Sequence, residues 1–291
     1  MDQRIINLYD RFTHGEMSRR SFLERLTELA GSAAIAAALL PLLQNDYAKA
    51  AIVPDNDARL VSERVAFESP KGKINGYLTR LKGDAKRPAV LVIHENRGLN
   101  PHLEDVARRL ALDGFLAFAI DLLSLVGGTP ANEDEARDLH PKLNQDDAVV
   151  ALVSAVEFLK TYPESTGKVG AVGFCFGGAM VNCLASASLE LDAGVAYYGR
   201  QVPASQVPNI RAALLLHYAE NDAGVNAGIA DYEAALKANN KSYAIHTYPG
   251  AQHAFNNDTG TARYNKAAAD LAWQRTIAFF KEKLGAPPKG A

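Results

Sequence analysis

The stretch Val169-Gly-Ala-Val-Gly-Phe-Cys-Phe-Gly-Gly178 decides how the rest of the chain is interpreted. Its first residues form a short apolar run typical of a buried strand, and a segment compatible with a helix follows at once. Cys175 stands at the sharp turn between them, flanked by Gly173 and Gly177, where a β-carbon would have no room. A strand, a tight turn carrying a nucleophile and a helix form a nucleophile elbow, here with cysteine in place of serine.

The position of Cys175 favours a reactive thiol. At a helix N-terminus, the free N–H groups and the helix dipole stabilise a thiolate and, later in a reaction, an oxyanion. The competing interpretation is a glycine-rich turn that holds an unreactive thiol, because free cysteines are usually core residues. An acid and a histidine that follow in the chain distinguish the two.

Strands and helices alternate on both sides of this stretch. The residues 61–67 and 74–80 predict an antiparallel hairpin, and later apolar runs predict buried strands. One α/β domain over residues 51–291 is therefore expected, with a mostly parallel sheet, an N-terminal hairpin and helices on both faces. The later strands are predicted at 88–93, 115–120, 169–172, 194–199, 212–217 and 243–248, the helices at 102–113, 144–161, 228–238 and 262–284, and an irregular candidate cap at 122–143.

Four chemically competent residues follow strands of the predicted sheet: Glu95, Cys175, Asp222 and His253. The order nucleophile, acid, histidine is that of the α/β-hydrolase triad, in which the thiol attacks a carbonyl, the histidine carries the proton and the acid orients the histidine. Taken singly, Asp222 is typical of a turn, and His253 and Glu95 of polar loops. Their joint placement at strand ends, where such sheets hold their sites, favours the catalytic interpretation. The oxyanion hole is expected to use the backbone N–H of Phe176.

The motifs resemble those of the dienelactone hydrolase (carboxymethylenebutenolidase-like) family of the α/β-hydrolase superfamily, over about residues 60–285. The resemblance implies a single-domain ester or lactone hydrolase that needs no cofactor or metal and forms a thioester acyl-enzyme on Cys175. It also implies that Glu95 helps to deprotonate the thiol and that Asn96 supplies the second oxyanion N–H. The similar segments are His94-Glu-Asn-Arg-Gly98, Gly173-Phe-Cys-Phe-Gly-Gly178, Tyr197-Tyr-Gly199, Asp222 and Gly250-Ala-Gln-His-Ala-Phe255.

The chain departs from the family pattern where substrate is bound. The family prototype holds a substrate carboxylate with two arginines, and this chain has Leu125 and Asn257 at or near their places. The pocket is therefore expected to prefer neutral esters or lactones. The candidate substrate-binding residues are Arg97, Tyr198 and Arg200, with Arg263 as a further arginine close in sequence.

Other function classes are weaker alternatives. A redox-active or non-catalytic α/β-hydrolase-fold protein could use Cys175 as a reactive thiol, but no resolving cysteine is well placed, and Cys183 is not expected to form a disulfide with Cys175. No two histidines have the short spacing of a metal site, so no metal is predicted. The net charge of −2 and the pI of about 6.4 argue against nucleic acid as a partner. A small-molecule substrate is expected; the oligomeric state is left open.

Residues 1–50 resemble a targeting segment. Ser18-Arg-Arg-Ser-Phe-Leu23 is similar to the twin-arginine export motif, and an uncharged run from Leu29 to Leu43 and a small-residue cleavage site at Ala48-Lys-Ala50 follow. This pattern predicts a periplasmic protein without a stable membrane span in the mature chain. The alternative is an uncleaved amphipathic helix that packs on the domain or on a partner, in a cytoplasmic protein.

Overall fold

Eight strands form one central sheet in the computed structural model, which describes residues 1–46 and 51–286. In chain order they are β1 (Leu60–Ser69), β2 (Gly72–Leu81), β3 (Arg87–Ile93), β4 (Leu116–Asp121), β5 (Ser165–Phe174), β6 (Ala193–Tyr197), β7 (Ala213–Asn221) and β8 (Tyr243–Gln252). The spatial order is β1-β2-β4-β3-β5-β6-β7-β8. The β1–β2 hairpin joins β4 in antiparallel fashion, whereas every pair from β4 to β8 is parallel. The predicted α/β architecture is confirmed.

Helices cover both faces of the sheet. One apolar core lies under α6, α7 and α9, and a second lies under α4 and α10 on the opposite face. Because both faces are covered, all seven residues of β3 are buried, as its continuous apolar run predicts. The described helices are α1 (Gln3–Thr13), α2 (Arg19–Ala30), α3 (Ala33–Leu43), α4 (Pro101–Leu112), α5 (Glu133–Leu139), α6 (Gln145–Thr161), α7 (Phe176–Ala187), α8 (Ala223–Asn226), α9 (Ile229–Ala238) and α10 (Lys266–Leu284).

Several boundaries differ from the sequence-based expectation; β5 begins at Ser165 and β7 continues to Asn221, each four residues beyond the prediction. Strand β8 continues to Gln252, four residues beyond the predicted end, and helix α10 begins at Lys266 because turns occupy the residues before it. The stretch predicted to be irregular contains helix α5, whose first turn is capped by Asn132 and carries three acidic residues that suit a helix N-terminus.

The residues 1–46, called here the N-terminal segment, form three helices that pack on the rest of the chain. Serine side chains cap α2 and α3, and the helices enclose an apolar cluster of their own. Helical packing on the domain is the alternative to an export signal that the sequence leaves open, and the N-terminal segment has that arrangement. The cleavage site proposed at 48–50 lies outside the described residues, and export stays a prediction.

No single helix in residues 1–46 and 51–286 is long and apolar enough to cross a membrane. Helices α2 and α3 meet the length and composition test only as a pair, and a bend of 114° separates them.

Candidate active site

Cys175 occupies a strained turn between β5 and α7. Its backbone has φ 56° and ψ −113°, a conformation that costs a non-glycine residue about 1–3 kcal/mol. A β-carbon at Gly173 would collide with the carbonyl of Gly177, and one at Gly177 would collide with the carbonyl oxygen of Ile93. The two glycines therefore permit the turn and bring the end of β3 against it, as the elbow pattern predicts.

Asp222 and His253 meet at the same edge of the sheet. Asp222 follows β7 and caps α8, while His253 follows β8, the strand paired with β7. Nδ1 of His253 donates to Oδ2 of Asp222 at 2.6 Å, and both side chains are buried. This bond fixes the orientation of the imidazole ring. The other ring nitrogen, Nε2 of His253, is buried and has no hydrogen-bond partner among the described residues. A ring nitrogen of His253 and Sγ of Cys175 lie within 4.8 Å of each other.

The electrostatics of this pair favour a thiolate and an imidazolium. Burial raises the pKa of the Cys175 thiol, but the rings of His253 and His14 outweigh burial and bring the pKa down to about 6. Burial lowers the pKa of His253, but Cys175 and the carboxylate of Asp222 raise it well above its usual value. A neighbouring imidazolium is a known means of activating a cysteine.

Glu95, Cys175 and His253 line one small cavity. The volume of this cavity is about 20 Å³. The carboxylate of Glu95 is buried, with Oε2 accepting a hydrogen bond of 3.0 Å from the side-chain amide of Asn257. Oε1 has no hydrogen-bond partner among the described residues. The structure thus brings together all four chemically competent residues that the sequence places at strand ends.

Two backbone positions border Cys175. Phe176 is the first residue of α7, so its N–H belongs to the helix turn that has no intrahelical acceptors. Asn96 lies in the loop after β3 and lines the thiol cavity, and its side-chain amide donates to the carbonyl oxygen of Thr13. The loop that was expected to complete an oxyanion hole therefore lies beside the elbow.

Two of the arginines close to the site are already paired. Arg97 is buried and forms an ion pair of 2.5 Å with Glu133 on α5. Arg263 lines the thiol cavity and pairs with Asp10 of the N-terminal segment at 3.0 Å.

Tyr198 and Arg200 lie on different sides of His253. The ring of Tyr198 is buried, with its centroid 5.0 Å from that of His253, and its hydroxyl has no partner among the described residues. Arg200 is exposed and lines an open groove of about 730 Å³ together with Asp222 and His253. Both residues thus border the site, Tyr198 as a buried wall and Arg200 at the solvent side.

His14 is the site residue that the sequence analysis missed. It follows α1, and its Nε2 lies 3.4 Å from Sγ of Cys175, while its Nδ1 lies 2.7 Å from the carbonyl oxygen of Asp10. The His14 ring packs edge-on against that of His253 at 4.9 Å. No local pattern marks His14 as functional. The amphipathic spacing of α1 indicates only that this helix packs against something.

Comparisons with known proteins agree on a family. Residues 74–284 match the family model described as the dienelactone hydrolase family, and residues 1–31 match a second model described as YqhI-like. Protein usf of Aquifex pyrophilus is 34% identical over 77% of this chain and 100% of its own length. A "Putative hydrolase fragment YghX" of Escherichia coli is 47% identical over 38% of this chain and 96% of its own length.

A solved structure shares the fold. The crystal structure titled "Putative Dienelactone Hydrolase", from Klebsiella pneumoniae, has a TM-score of 0.70 and 26% identity, covering 77% of this chain and 99% of its own. The family match spans most of the chain and includes the elbow, Asp222, His253 and Glu95. The chain therefore belongs to the dienelactone hydrolase family of the α/β-hydrolase superfamily, and the predicted enzyme class, an ester or lactone hydrolase, is confirmed.

Proposed function

We propose that this enzyme hydrolyses small, neutral carboxylic esters or lactones through a thioester acyl-enzyme formed on Cys175. One observation carries the proposal: a buried Asp222–His253 pair, bonded at 2.6 Å, leaves Nε2 of His253 free beside a strained elbow thiol. An oriented imidazole next to a nucleophile is the arrangement that acyl transfer requires.

In the first half-reaction, the Cys175 thiolate attacks the carbonyl carbon and forms a C–S bond. The tetrahedral intermediate collapses with cleavage of the ester C–O bond, and the imidazolium of His253 gives its proton to the leaving alkoxide. In the second half-reaction, neutral His253 takes a proton from water as that water attacks the thioester. The C–S bond breaks, the carboxylic acid leaves, and Asp222 stabilises the imidazolium formed in this step.

The oxyanion of both intermediates would be bound by the backbone N–H groups of Phe176 and Asn96. The proposal is supported by the position of Phe176 at the start of α7 and by the approach of the β3 loop to the elbow. Loss of one such donor typically removes about 2.7–4 kcal/mol of transition-state stabilisation.

Glu95 would assist when substrate enters. Its Oε1 has no partner among the described residues, and Glu95 lines the cavity that Cys175 also lines. A carboxylate in this position can accept the thiol proton or orient the hydrolytic water. Asn257 holds the other carboxylate oxygen and so fixes the direction in which Oε1 points.

The proposed preference for neutral substrates follows from the arginines. Leu125 and Asn257 provide no cation, Arg97 pairs with Glu133, and Arg263 pairs with Asp10. A buried substrate carboxylate without a charged partner would lose its hydration without compensation.

Substrate needs more room than the closed cavity offers. The cavity at Cys175 has space for about one water molecule, whereas the groove that shares His14 and His253 with it has about 730 Å³. We infer that the acyl group reaches the thiol from this groove when His14 and the residues next to it move.

Intact-mass spectrometry after exposure to a panel of activated esters and lactones tests the function. The enzyme is first treated with a chelator, so that no metal ion blocks the thiol. An acyl adduct that maps to Cys175 and disappears with turnover is expected, and Cys175→Ala should lose both adduct and hydrolysis. The matched control is Cys183→Ala, which removes the other free cysteine and should keep both. Hydrolysis at the wild-type rate by Cys175→Ala would contradict the mechanism.

A further inference from the structure

The closed active site contains a ligand set for a metal ion that no short sequence spacing reveals. A ring nitrogen of His14, a ring nitrogen of His253 and Sγ of Cys175 all lie within 4.8 Å of one another. His14 follows α1, Cys175 stands at the elbow and His253 follows β8, which explains why the spacing of histidines along the chain predicts no metal site.

The distances suit a tetrahedral ion. Zinc–nitrogen bonds of about 2.0–2.1 Å and a zinc–sulfur bond of about 2.3 Å place ligand atoms roughly 3.4–3.6 Å apart. Nε2 of His14 is already 3.4 Å from Sγ of Cys175. The other two separations between ligand atoms are at most 4.8 Å, so they must shorten by no more than about 1.2–1.4 Å, which rotations of the side chains can supply.

Both histidines are oriented as metal ligands usually are. Histidines that bind metals typically donate their other ring nitrogen to a carboxylate or a backbone carbonyl. Nδ1 of His253 donates to the carboxylate of Asp222, and Nδ1 of His14 donates to the carbonyl oxygen of Asp10, whose own carboxylate lies 3.5 Å away. In both rings Nε2 is therefore the nitrogen that faces the thiol.

The cavity has room for a water molecule as the fourth ligand of a tetrahedral ion. The cavity beside the three ligands holds about one water molecule and is lined by Glu95, whose buried Oε1 has no partner among the described residues. That oxygen can accept a hydrogen bond from a metal-bound water. The carboxylates of Asp222 and Glu95 beside the cluster favour a divalent cation over a neutral occupant, and the positive charge of Arg263, which also lines the cavity, is balanced by its ion pair with Asp10.

We propose that His14, Cys175 and His253 bind one zinc ion, and that this ion holds the N-terminal segment on the nucleophile and blocks hydrolysis reversibly. On binding, the proton shared by the Cys175–His253 pair is released to solvent, so that the sulfur binds as thiolate and Nε2 of His253 as a neutral nitrogen. Zn²⁺ accepts lone pairs from one sulfur and two nitrogens, and no atom is oxidised or reduced. The mixed nitrogen and sulfur set suits zinc, and no methionine, the usual axial ligand of blue copper, is among the described residues that line the cavity.

The bound ion would stop catalysis for two physical reasons. The sulfur lone pair that attacks the carbonyl is committed to the metal, and Nε2 of His253 can no longer carry a proton. The ion would also link residue 14 to residues 175 and 253, so that opening of the N-terminal segment requires breaking a metal–nitrogen bond. Removal of zinc by a chelator frees the side chains of His14, Cys175 and His253 again, which makes the block reversible.

Cobalt(II) substitution of the full-length, chelator-treated protein tests the site without any need for turnover. One Co²⁺ per chain is expected, with the intense near-ultraviolet thiolate-to-cobalt charge-transfer band and the visible bands of tetrahedral cobalt. Cys175→Ser should lose the charge-transfer band. X-ray absorption at the cobalt edge should count one sulfur and two imidazoles in the wild type, and one imidazole in His14→Ala.

Zinc affinity, measured by competition with a chromogenic chelator, provides the quantitative test. His14→Ala should weaken binding at least about tenfold, since even loss of a partner behind a ligand costs about 10–100-fold. Asp222→Asn removes such a partner of His253, so it should weaken zinc binding about 10–100-fold. His246→Ala is the matched control, because this partly buried histidine lies on β8 outside the cluster, and it should bind zinc like the wild type.

Either of two results would overturn the proposal: binding of cobalt without a thiolate band, or unchanged affinity and two imidazoles in His14→Ala. The second would mean that the ion does not join the N-terminal segment to the thiol. The proposal goes beyond the hydrolytic function and fails separately from it, because acylation of Cys175 is measured on metal-free enzyme whereas these readouts require no substrate.

Discussion

Opening of the N-terminal segment is expected to control access to Cys175, and Leu26→Ala tests this directly. Leu26 is completely buried on α2, inside the apolar cluster that holds helices α1, α2 and α3 together. Shortening a buried leucine to alanine typically costs about 2–5 kcal/mol. That cost falls on the N-terminal segment and leaves the core of the central sheet intact.

The magnitude follows from the opening equilibrium. If a thiol reagent reaches Cys175 only in the open state, its rate of modification is proportional to the population of that state. At about 1.4 kcal/mol per factor of ten, a loss of 2–5 kcal/mol raises the rate about 30- to 4,000-fold. The increase reaches a ceiling once the segment no longer docks.

The assay is alkylation of the metal-free protein followed by peptide mapping, so that Cys175 is counted separately from Cys183. Leu110→Ala is the matched control: it makes the same change at an equally buried leucine on α4, under the sheet. It should leave the rate at Cys175 unchanged while circular dichroism shows that both variants are folded. Equal rates in wild type and Leu26→Ala would refute the inference that the segment limits access.

Four further predictions follow from the site. Asp222→Asn should lower kcat/KM at least about 10- to 100-fold, because a buried charge-assisted hydrogen bond to His253 is lost; steady-state ester hydrolysis at constant circular dichroism measures this. The acylation rate of metal-free enzyme should rise through a pKa of about 6 and level off above it, because the thiolate is the reacting form; stopped-flow acylation with parallel thiolate absorbance checks the pKa. A neutral lactone should give a higher kcat/KM than its carboxylated analogue, and the reverse order would contradict the proposed pocket. If Arg19 and Arg20 direct export, N-terminal sequencing of the natively produced protein should find a chain that begins near Ala51.

The chemistry at the strand ends was predictable because topology alone determines it. Parallel strands of one sheet end at the same edge, so residues that follow β5, β7 and β8 must meet there once the strands are ordered. The glycines around Cys175 could also be interpreted from sequence, because the elbow leaves no space for a β-carbon at Gly173 or Gly177. These features depend on local backbone geometry and strand order, which a single sequence specifies well.

The residues that sequence reasoning missed depend on packing between distant elements. His14 and Cys175 are 161 positions apart, and their contact exists only because α1 docks over the elbow. The pairing of Arg97 with Glu133 likewise requires helix α5, which forms inside a stretch that appears irregular. Neither contact has a periodicity or a spacing that a sequence pattern could show.

The balance of forces on the N-terminal segment explains how one thiol can be both covered and used. The apolar cluster of the segment lies mostly between its own helices, so it gives the three helices the shape that docks over the elbow. The contacts across the boundary include cations over aromatic rings, Arg137 on Phe12 and Arg263 on Tyr9, with the Arg263–Asp10 ion pair. Such contacts are each worth about 0–1 kcal/mol when partly exposed. Docking over the elbow therefore depends on the segment's own fold, and a ligand bonded to His14 would add most where the docking contacts are weakest.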